Sequence, residues 1–341
     1  MLAQMQRRTI ENNTFQLRPV TMDDLPAVAN LLNICAVDQT GAPDISEYLL
    51  KSDWTGPTFN LAESLQVAET PAGQIVGYIE VWDTDPLPIS NWVWARVHPE
   101  FEDLGIGSAL MNWAEQRLHQ TVARVPDDLY VNYSAGSLST HNPTKQLLQD
   151  LGMKPVRYFW RMVIDLNQEP PAPEWPTGII MTTLAELGDL RAVYRAFNDS
   201  FQDHWGHVEQ PEETRITEWE HWTSTDEEFD PALWYVALDG QEIAGICLCR
   251  RREWEDPDMG WVNIFGVRRP WRKRGLGLAM LHCAFGAFRC SGKLRAGLGV
   301  DAGSLTGATR LYKKAGMHVA REIHIYEKEL RSGRDIRRKS L

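Results

Sequence analysis

The chain contains an internal repeat, and this repeat restricts the fold more than any other feature of the sequence. In the second half, an apolar strand-like run leads into a turn with glycines at 275 and 277 and then into a long apolar helix. In the first half the same order surrounds Gly105 and Gly107. Further along, Leu-Gly-Met at 151–153 parallels Ala-Gly-Met at 315–317, at nearly the same offset. Two matches in the same order indicate a duplicated unit with short insertions or deletions.

A proline-rich segment divides the two copies. Four prolines between 170 and 176 prevent a helix or a central strand there. We therefore predict an α+β fold (mixed α/β) with two tandem modules, 1–167 and 177–330, joined by a linker at 168–176. Each module is expected to have a mixed, mostly antiparallel central sheet flanked by helices. The basic tail, 331–341, lacks an apolar face and is predicted to be a disordered end.

Composition limits the classes of function. The 341 residues are 43% hydrophobic and 24% charged, as in ordinary globular proteins. A net charge of −11 argues against nucleic acid as a partner, because phosphate backbones are held by positive surfaces. No window approaches the roughly 18 apolar residues of a membrane span. Five scattered cysteines favour buried thiols in a reducing compartment. We expect a cytoplasmic enzyme, a monomer or homodimer, with no membrane partner.

The basic turn at 272–277 is the first candidate binding site. Its two glycines let the chain turn tightly and bring backbone N–H groups close to a ligand. Arg272, Lys273 and Arg274 add positive charge, and the apolar helix that follows anchors the turn in a core. Exposed N–H groups at a helix N-terminus bind phosphate. The segment predicts a diphosphate site, although a glycine-capped basic turn on the surface is the alternative.

Two ordered motifs resemble the GNAT N-acetyltransferase superfamily. The spacing Arg-x-x-Gly-x-Gly at 272–277 resembles its acyl-CoA pyrophosphate loop, and Leu-Tyr-x-x-x-Gly at 311–316 resembles its last helix. With two such units in one chain, the sequence is similar to the bacterial two-module acetyltransferases of the mycothiol synthase type. The resemblance implies that strands 261–267 and 294–300 splay apart to hold the pantetheine arm of the coenzyme.

The resemblance also implies the residues of the site. Tyr312 occupies the position of the acid that protonates the departing CoA thiolate, although an aromatic packed in the core is the alternative. The positions implied for binding acetyl-CoA, as acyl donor, are Phe265, Gly266, Val267, Arg272, Lys273, Arg274, Gly275, Leu276, Gly277, Leu278 and Ser304.

The general base stays open in the sequence. Several family members use a glutamate on the strand before the phosphate loop, but residues 261–265 contain no acid. The acidic candidates are Glu253, Glu255, Asp256 and Asp258, which a solvated loop would also explain. The segment 201–207 lies where the family builds its acceptor site, so it either lines a substrate pocket or packs a helix end. Its two histidines, His204 and His207, lack the partners of a metal site, and no metal is expected.

The first module departs from the family pattern at both key positions. Glu102 stands where the second module has Arg272, and Leu148 stands where it has Tyr312. We therefore predict that the first module is catalytically silent. It either holds a cofactor weakly, shapes the acceptor cleft, or contributes stability alone.

The leading hypothesis is an acetyl-CoA-dependent N-acetyltransferase whose second module transfers the acetyl group directly to a primary amine of a small molecule. Two alternatives remain. Residues 297–302 satisfy the Gly-x-Gly-x-x-Gly/Ala dinucleotide fingerprint, which would suit an NAD-dependent oxidoreductase, but they fall inside an apolar run. The second alternative is a sensor that binds acyl-CoA without catalysis, which would explain why the strand before the phosphate loop has no glutamate.

Overall fold

The structure, a computed structural model, describes residues 15–339, which form one continuous sheet with helices on both faces. The beginning of the predicted first module and the end of the predicted tail lie outside these residues. The strands of the described chain are β1 (Gln16–Pro19), β2 (Leu65–Glu69), β3 (Ile75–Trp82), β4 (Ser90–Val97), β5 (Val131–Leu138), β6 (Lys154–Asp165), β7 (Ile179–Thr183), β8 (Trp234–Asp239), β9 (Glu242–Arg250), β10 (Met259–Val267), β11 (Arg295–Asp301) and β12 (His318–Arg331).

The helices repeat in the same order in both halves, as the duplication predicts. They are α1 (Leu25–Thr40), α2 (Glu47–Trp54), α3 (Leu61–Ser64), α4 (Ile106–Val122), α5 (Asn142–Asp150), α6 (Leu184–Leu187), α7 (Leu190–Phe201), α8 (Glu212–Thr225), α9 (Leu276–Cys290) and α10 (Ala308–Lys314). Residues 166–178, which include the prolines, form neither helix nor strand.

The sheet runs in the order β1-β2-β3-β4-β5-β12-β6-β11-β10-β9-β8-β7. Two of these neighbouring pairs are parallel, β4 with β5 and β10 with β11. The remaining pairs are antiparallel. The mixed, mostly antiparallel character predicted from the sequence is confirmed.

The last strand of each half is inserted beside the sheet of the other half. β6, from the first half, pairs with β11 from Arg295↔Asp165 to Asp301↔Phe159. β12, from the second half, pairs with β5 and also with β6. The sequence pattern located both strands but not their partners, because alternation identifies the buried face of a strand and not the edge that is paired.

Helices cover both faces of the sheet because successive side chains of a strand point to opposite sides. In β9, Cys247 packs in the core formed with α9, whereas its neighbour Ile246 packs in the core formed with α7 and α8. α9 approaches the sheet closely, since Gly260 leaves space for the ring of Phe288. Cys290, at the end of α9, is exposed, which corrects the expectation of a buried thiol there.

β10 and β11 separate partway along their length. They pair only from Met259↔Arg295 to Val262↔Leu298, and a bulge between Val262 and Ile264 interrupts the pairing of β10 with β9. Beyond this point each strand keeps a partner on its outer edge alone. The facing edges therefore leave backbone N–H and C=O groups unpaired, and an open wedge lies between the two strands.

The prediction of a disordered tail is wrong for the residues that the structure describes. Arg337 is buried, pairs with Glu327 of β12 and with Asp335, and its guanidinium lies over the rings of Tyr130 and Trp205. The backbone of residue 338 exchanges hydrogen bonds with residues 206 and 207. The tail is ordered because Arg337 meets two nearby acids and two aromatic rings that are distant in sequence.

Candidate active site

The turn between β10 and α9 depends on two residues with positive φ. Lys273 has φ 61°, which is uncommon for a residue with a side chain, and Gly275 has φ 90°. No group of residues 15–339 accepts a hydrogen bond from the backbone N–H groups of residues 273–277. Because these adjacent donors stand at the positive end of α9, they form a site for an anion.

Arg272 attaches this turn to the C-terminal end of α7. Its Nε donates to the carbonyl oxygen of Val267 at 2.8 Å, and its Nη2 donates to that of Ser200 at 3.0 Å. Its Nη1 donates to the buried carboxylate of Asp203, which also pairs with Arg269. The hydrogen bond from Arg269 holds the pKa of Asp203 well below its usual range. Arg272 thus fixes the turn while adding positive charge beside it.

The turn and the separated strands border a cavity of about 710 Å³. The predicted site residues that line it are Phe265, Gly266, Val267, Arg272, Lys273, Gly275, Gly277, Leu278, Ser304 and Tyr312. Two predicted residues have other surroundings. Arg274 extends towards Asp239, at 3.9 Å, and Leu276 is buried in the core between α9 and the sheet.

Tyr312 lies on α10 with its ring edge-on to Phe265, at 6.0 Å between the ring centroids. The residue is only 5% exposed, so it packs in the core and lines the cavity at the same time. Burial raises the pKa of the hydroxyl above its usual range. Tyr312 is therefore protonated at neutral pH, as a proton donor must be.

One part of the cavity wall is aromatic and contains a residue that the sequence did not indicate. Phe159 of the exchanged strand β6 lies there with His204, Trp205 and Asp301. Arg157, also of β6, pairs with Asp301 at 3.1 Å and lies 4.8 Å from the ring of Trp205. No local motif marks Phe159, because it enters this site only through the pairing of β6 with β11.

Three of the four acidic residues considered for the general base are paired with arginines. Arg161 binds Glu253 and Glu255 at 2.9 and 2.8 Å. Arg295 binds Asp256 through two hydrogen bonds. Neither these acids nor Asp258 lie in the cavity wall. The three paired acids form ion pairs beside the beginning of β10.

The first half has a turn of the same backbone shape and the opposite charge. Asp103 has φ 60° and Gly105 has φ 81°, close to the values at the corresponding turn of the second half. Glu102 lies 3.4 Å from the ring of His141. Leu148 is buried, and the cavity beside the turn is about 170 Å³. The turn of this smaller site lacks the three basic side chains of 272–274, and Leu148 stands in place of the tyrosine, although Arg96 lines the cavity.

Comparison with known proteins decides the family. The model of the acetyltransferase (GNAT) family matches residues 26–129 and 190–317, once in each half. The chain belongs to the GNAT acetyltransferase family. This membership makes it an N-acetyltransferase, and it disfavours the oxidoreductase, whose fingerprint at 297–302 falls largely within β11 rather than after a strand.

This GNAT chain is similar over most of its length to several known proteins. It is 27% identical to a mycothiol acetyltransferase of Cellulomonas flavigena, over 88% of this chain and 83% of that protein. A crystal structure of a GCN5-related N-acetyltransferase from Sphaerobacter thermophilus is 34% identical, with a TM-score of 0.75 over 94% of this chain and 98% of that one. A tandem GNAT protein from the clavulanic acid biosynthesis pathway shares the fold, with 14% identity and a TM-score of 0.67 over 94% of this chain and all of that one.

Residues 15–339 of this GNAT chain contain neither a membrane-spanning helix nor a cluster of metal-binding side chains. None of their helices is long and apolar enough to cross a membrane. Nor do these residues contain a group of three or more histidine, cysteine or acidic side chains that could hold a metal ion.

Proposed function

We propose that the second half of the chain binds acetyl-CoA and transfers the acetyl group directly to a primary amine of a small molecule. The observation that carries the proposal is the row of unpaired backbone N–H groups at 273–277, next to a cavity that also contains Tyr312. The amides can donate hydrogen bonds to phosphate oxygens, and Lys273 adds a positive charge beside them. Together they suit a diphosphate, which is strongly negative.

The separated strands suit the rest of the donor. A pantetheine arm carries amide groups, and the unpaired edges of β10 and β11 offer backbone donors and acceptors to it. The thioester would then lie in the wedge near Phe265, within reach of the hydroxyl of Tyr312. In this arrangement the amine attacks the thioester carbon and the thiolate leaves with the proton of Tyr312, so no acyl-enzyme is needed.

The acceptor enters from the aromatic part of the cavity, because the donor fills the wedge. The aromatic wall suits the apolar part of a small molecule, and the first half contributes to it through Phe159. Since a curated relative is a mycothiol acetyltransferase, amines related to mycothiol belong in the first set of acceptors to test.

Turnover and thermal stability test the proposal together. We expect acetyl-CoA and CoA to raise the Tm and NAD to leave it unchanged, with about 2.7 kcal/mol of stabilisation at a ligand concentration of 100 times the Kd. With a panel of primary amines, we expect at least one to release free CoA thiol and to yield the N-acetyl product. Binding of acetyl-CoA without consumption of any amine would favour the sensor, and stabilisation by NAD alone would overturn the proposal.

A further inference from the structure

His204 is an accessible side chain in the wall of the cavity that contains Tyr312. It follows the end of α7, and its ring lies against that of Phe201, with 4.1 Å between the centroids and 34° between the ring planes. The turn that carries it is held at both ends, since its backbone N–H donates to residue 201 and its carbonyl accepts from residue 207. The imidazole makes no hydrogen bond to any other part of the described chain, so its nitrogens are free for a ligand.

The charges around His204 come from three elements. Asp301 faces it from the end of β11, and Arg272 faces it from the basic turn at 272–277. Asp203 and His207 belong to its own loop. Although the side chain is accessible, the surrounding protein partly desolvates it and lowers the pKa of His204 below its ordinary value of 6.5; Arg272 acts in the same direction, whereas Asp301 opposes it. The ring is therefore neutral at pH 7, which is the form that accepts a proton.

The other side chains of the cavity that were considered as the general base are already paired, already protonated or not basic. Asp301 is held by Arg157 and by the backbone N–H of Gly303. Tyr312 is protonated and supplies the acid. The strand before the phosphate turn offers Asn263 to the cavity, and an amide is not a base at neutral pH.

We propose that His204 is the general base of the reaction and that the acceptor amine binds beside it, against Phe159 and Trp205. This inference rests on the proposed function, because it concerns the acceptor side of the same cavity. In the step, the amine nitrogen gives a proton to an imidazole nitrogen of His204 and forms a bond to the thioester carbon. The C–S bond breaks, and the thiolate takes the proton of Tyr312. Solvent then carries the proton of His204 away and restores Tyr312, so the products are the N-acetyl amine and free CoA thiol.

The test compares two histidines of one loop. His204→Gln should lower kcat by about 10²- to 10⁴-fold, the usual contribution of a general base. The matched control is His207→Gln, because His207 is three residues away and does not line the cavity. In the wild type, kcat should fall as the pH drops through the lowered pKa of His204, since protonation removes the base. That acidic limb should disappear in His204→Gln and persist in His207→Gln.

Acetyl-CoA binding keeps the two proposals apart. We expect His204→Gln to bind acetyl-CoA with the Kd of the wild type, which also shows that it is folded. If its kcat and acidic limb match the wild type, His204 is not the base and the proposed function still stands. If His204→Gln raises only the KM for the amine and leaves kcat unchanged, His204 contacts the amine but is not the base. If the wild type acetylates no amine at all, both proposals fall.

Discussion

At the residue scale, Tyr312 combines two properties that a sequence motif does not separate. It belongs to the core of the second half, and it also lines the cavity. The alternative of a packed aromatic and the proposal of an acid are thus compatible. Burial raises its pKa, which keeps the hydroxyl protonated at neutral pH and also makes it a weaker acid than an exposed tyrosine.

Tyr312→Phe is expected to lower kcat by about 10²- to 10⁴-fold, because the thiolate loses its proton donor. The KM for acetyl-CoA should change little, since the hydroxyl acts mainly as the thiolate departs. Steady-state kinetics at saturating amine measure both quantities. The ring is conserved in this change, so a thermal melt close to that of the wild type serves as the folding control. An unchanged kcat would remove Tyr312 from the mechanism.

Arg272 illustrates where prediction from sequence reaches its limit for a single residue. The spacing of the turn placed a cation beside the anion site, and this position lines the cavity. The sequence did not indicate that Asp203, Ser200 and Val267 already accept the hydrogen bonds of its guanidinium. Those partners depend on how α7 meets the turn, which is a tertiary contact without a local signal.

At the element scale, the positions of the strands followed from alternation and from turn residues, and their pairing did not. β6 and β12 both have the alternating pattern of an ordinary strand. That pattern would fit equally well if each strand lay in the sheet of its own half. Their exchange brings Phe159 to the second site. The tail is a similar case, because its order depends on partners just before β5, in β12 and in the loop after α7.

Arg337→Ala is expected to destabilise the protein by on the order of 3 kcal/mol, because it leaves the largely buried Glu327 without its partner. Arg334→Ala is the matched control in the same tail. Arg334 pairs with Asp128 on the surface, where both side chains are more than half exposed, so its removal should cost under about 1 kcal/mol. Urea unfolding measures both. Equal effects of the two changes would mean that the tail is not held through Arg337.

At the scale of the whole molecule, the two halves share a backbone and differ in charge. Lys273 and Asp103 adopt the same unusual conformation at corresponding positions, and so do Gly275 and Gly105. The duplication has therefore kept the same backbone geometry in both turns. What separates them is the set of side chains, because an acidic turn repels the diphosphate that a basic turn attracts. We therefore expect acetyl-CoA to bind at the basic turn and not at the acidic turn, although the two turns have similar backbones.

Amide hydrogen exchange with and without saturating acetyl-CoA tests this account most directly. The coenzyme should slow exchange roughly tenfold or more in the peptide that contains residues 273–277, because their N–H groups then donate to phosphate. The peptide that contains residues 103–107 should exchange at the same rate in both conditions. Slower exchange at 103–107, or an unchanged rate at 273–277 in protein that binds acetyl-CoA, would contradict the central claim.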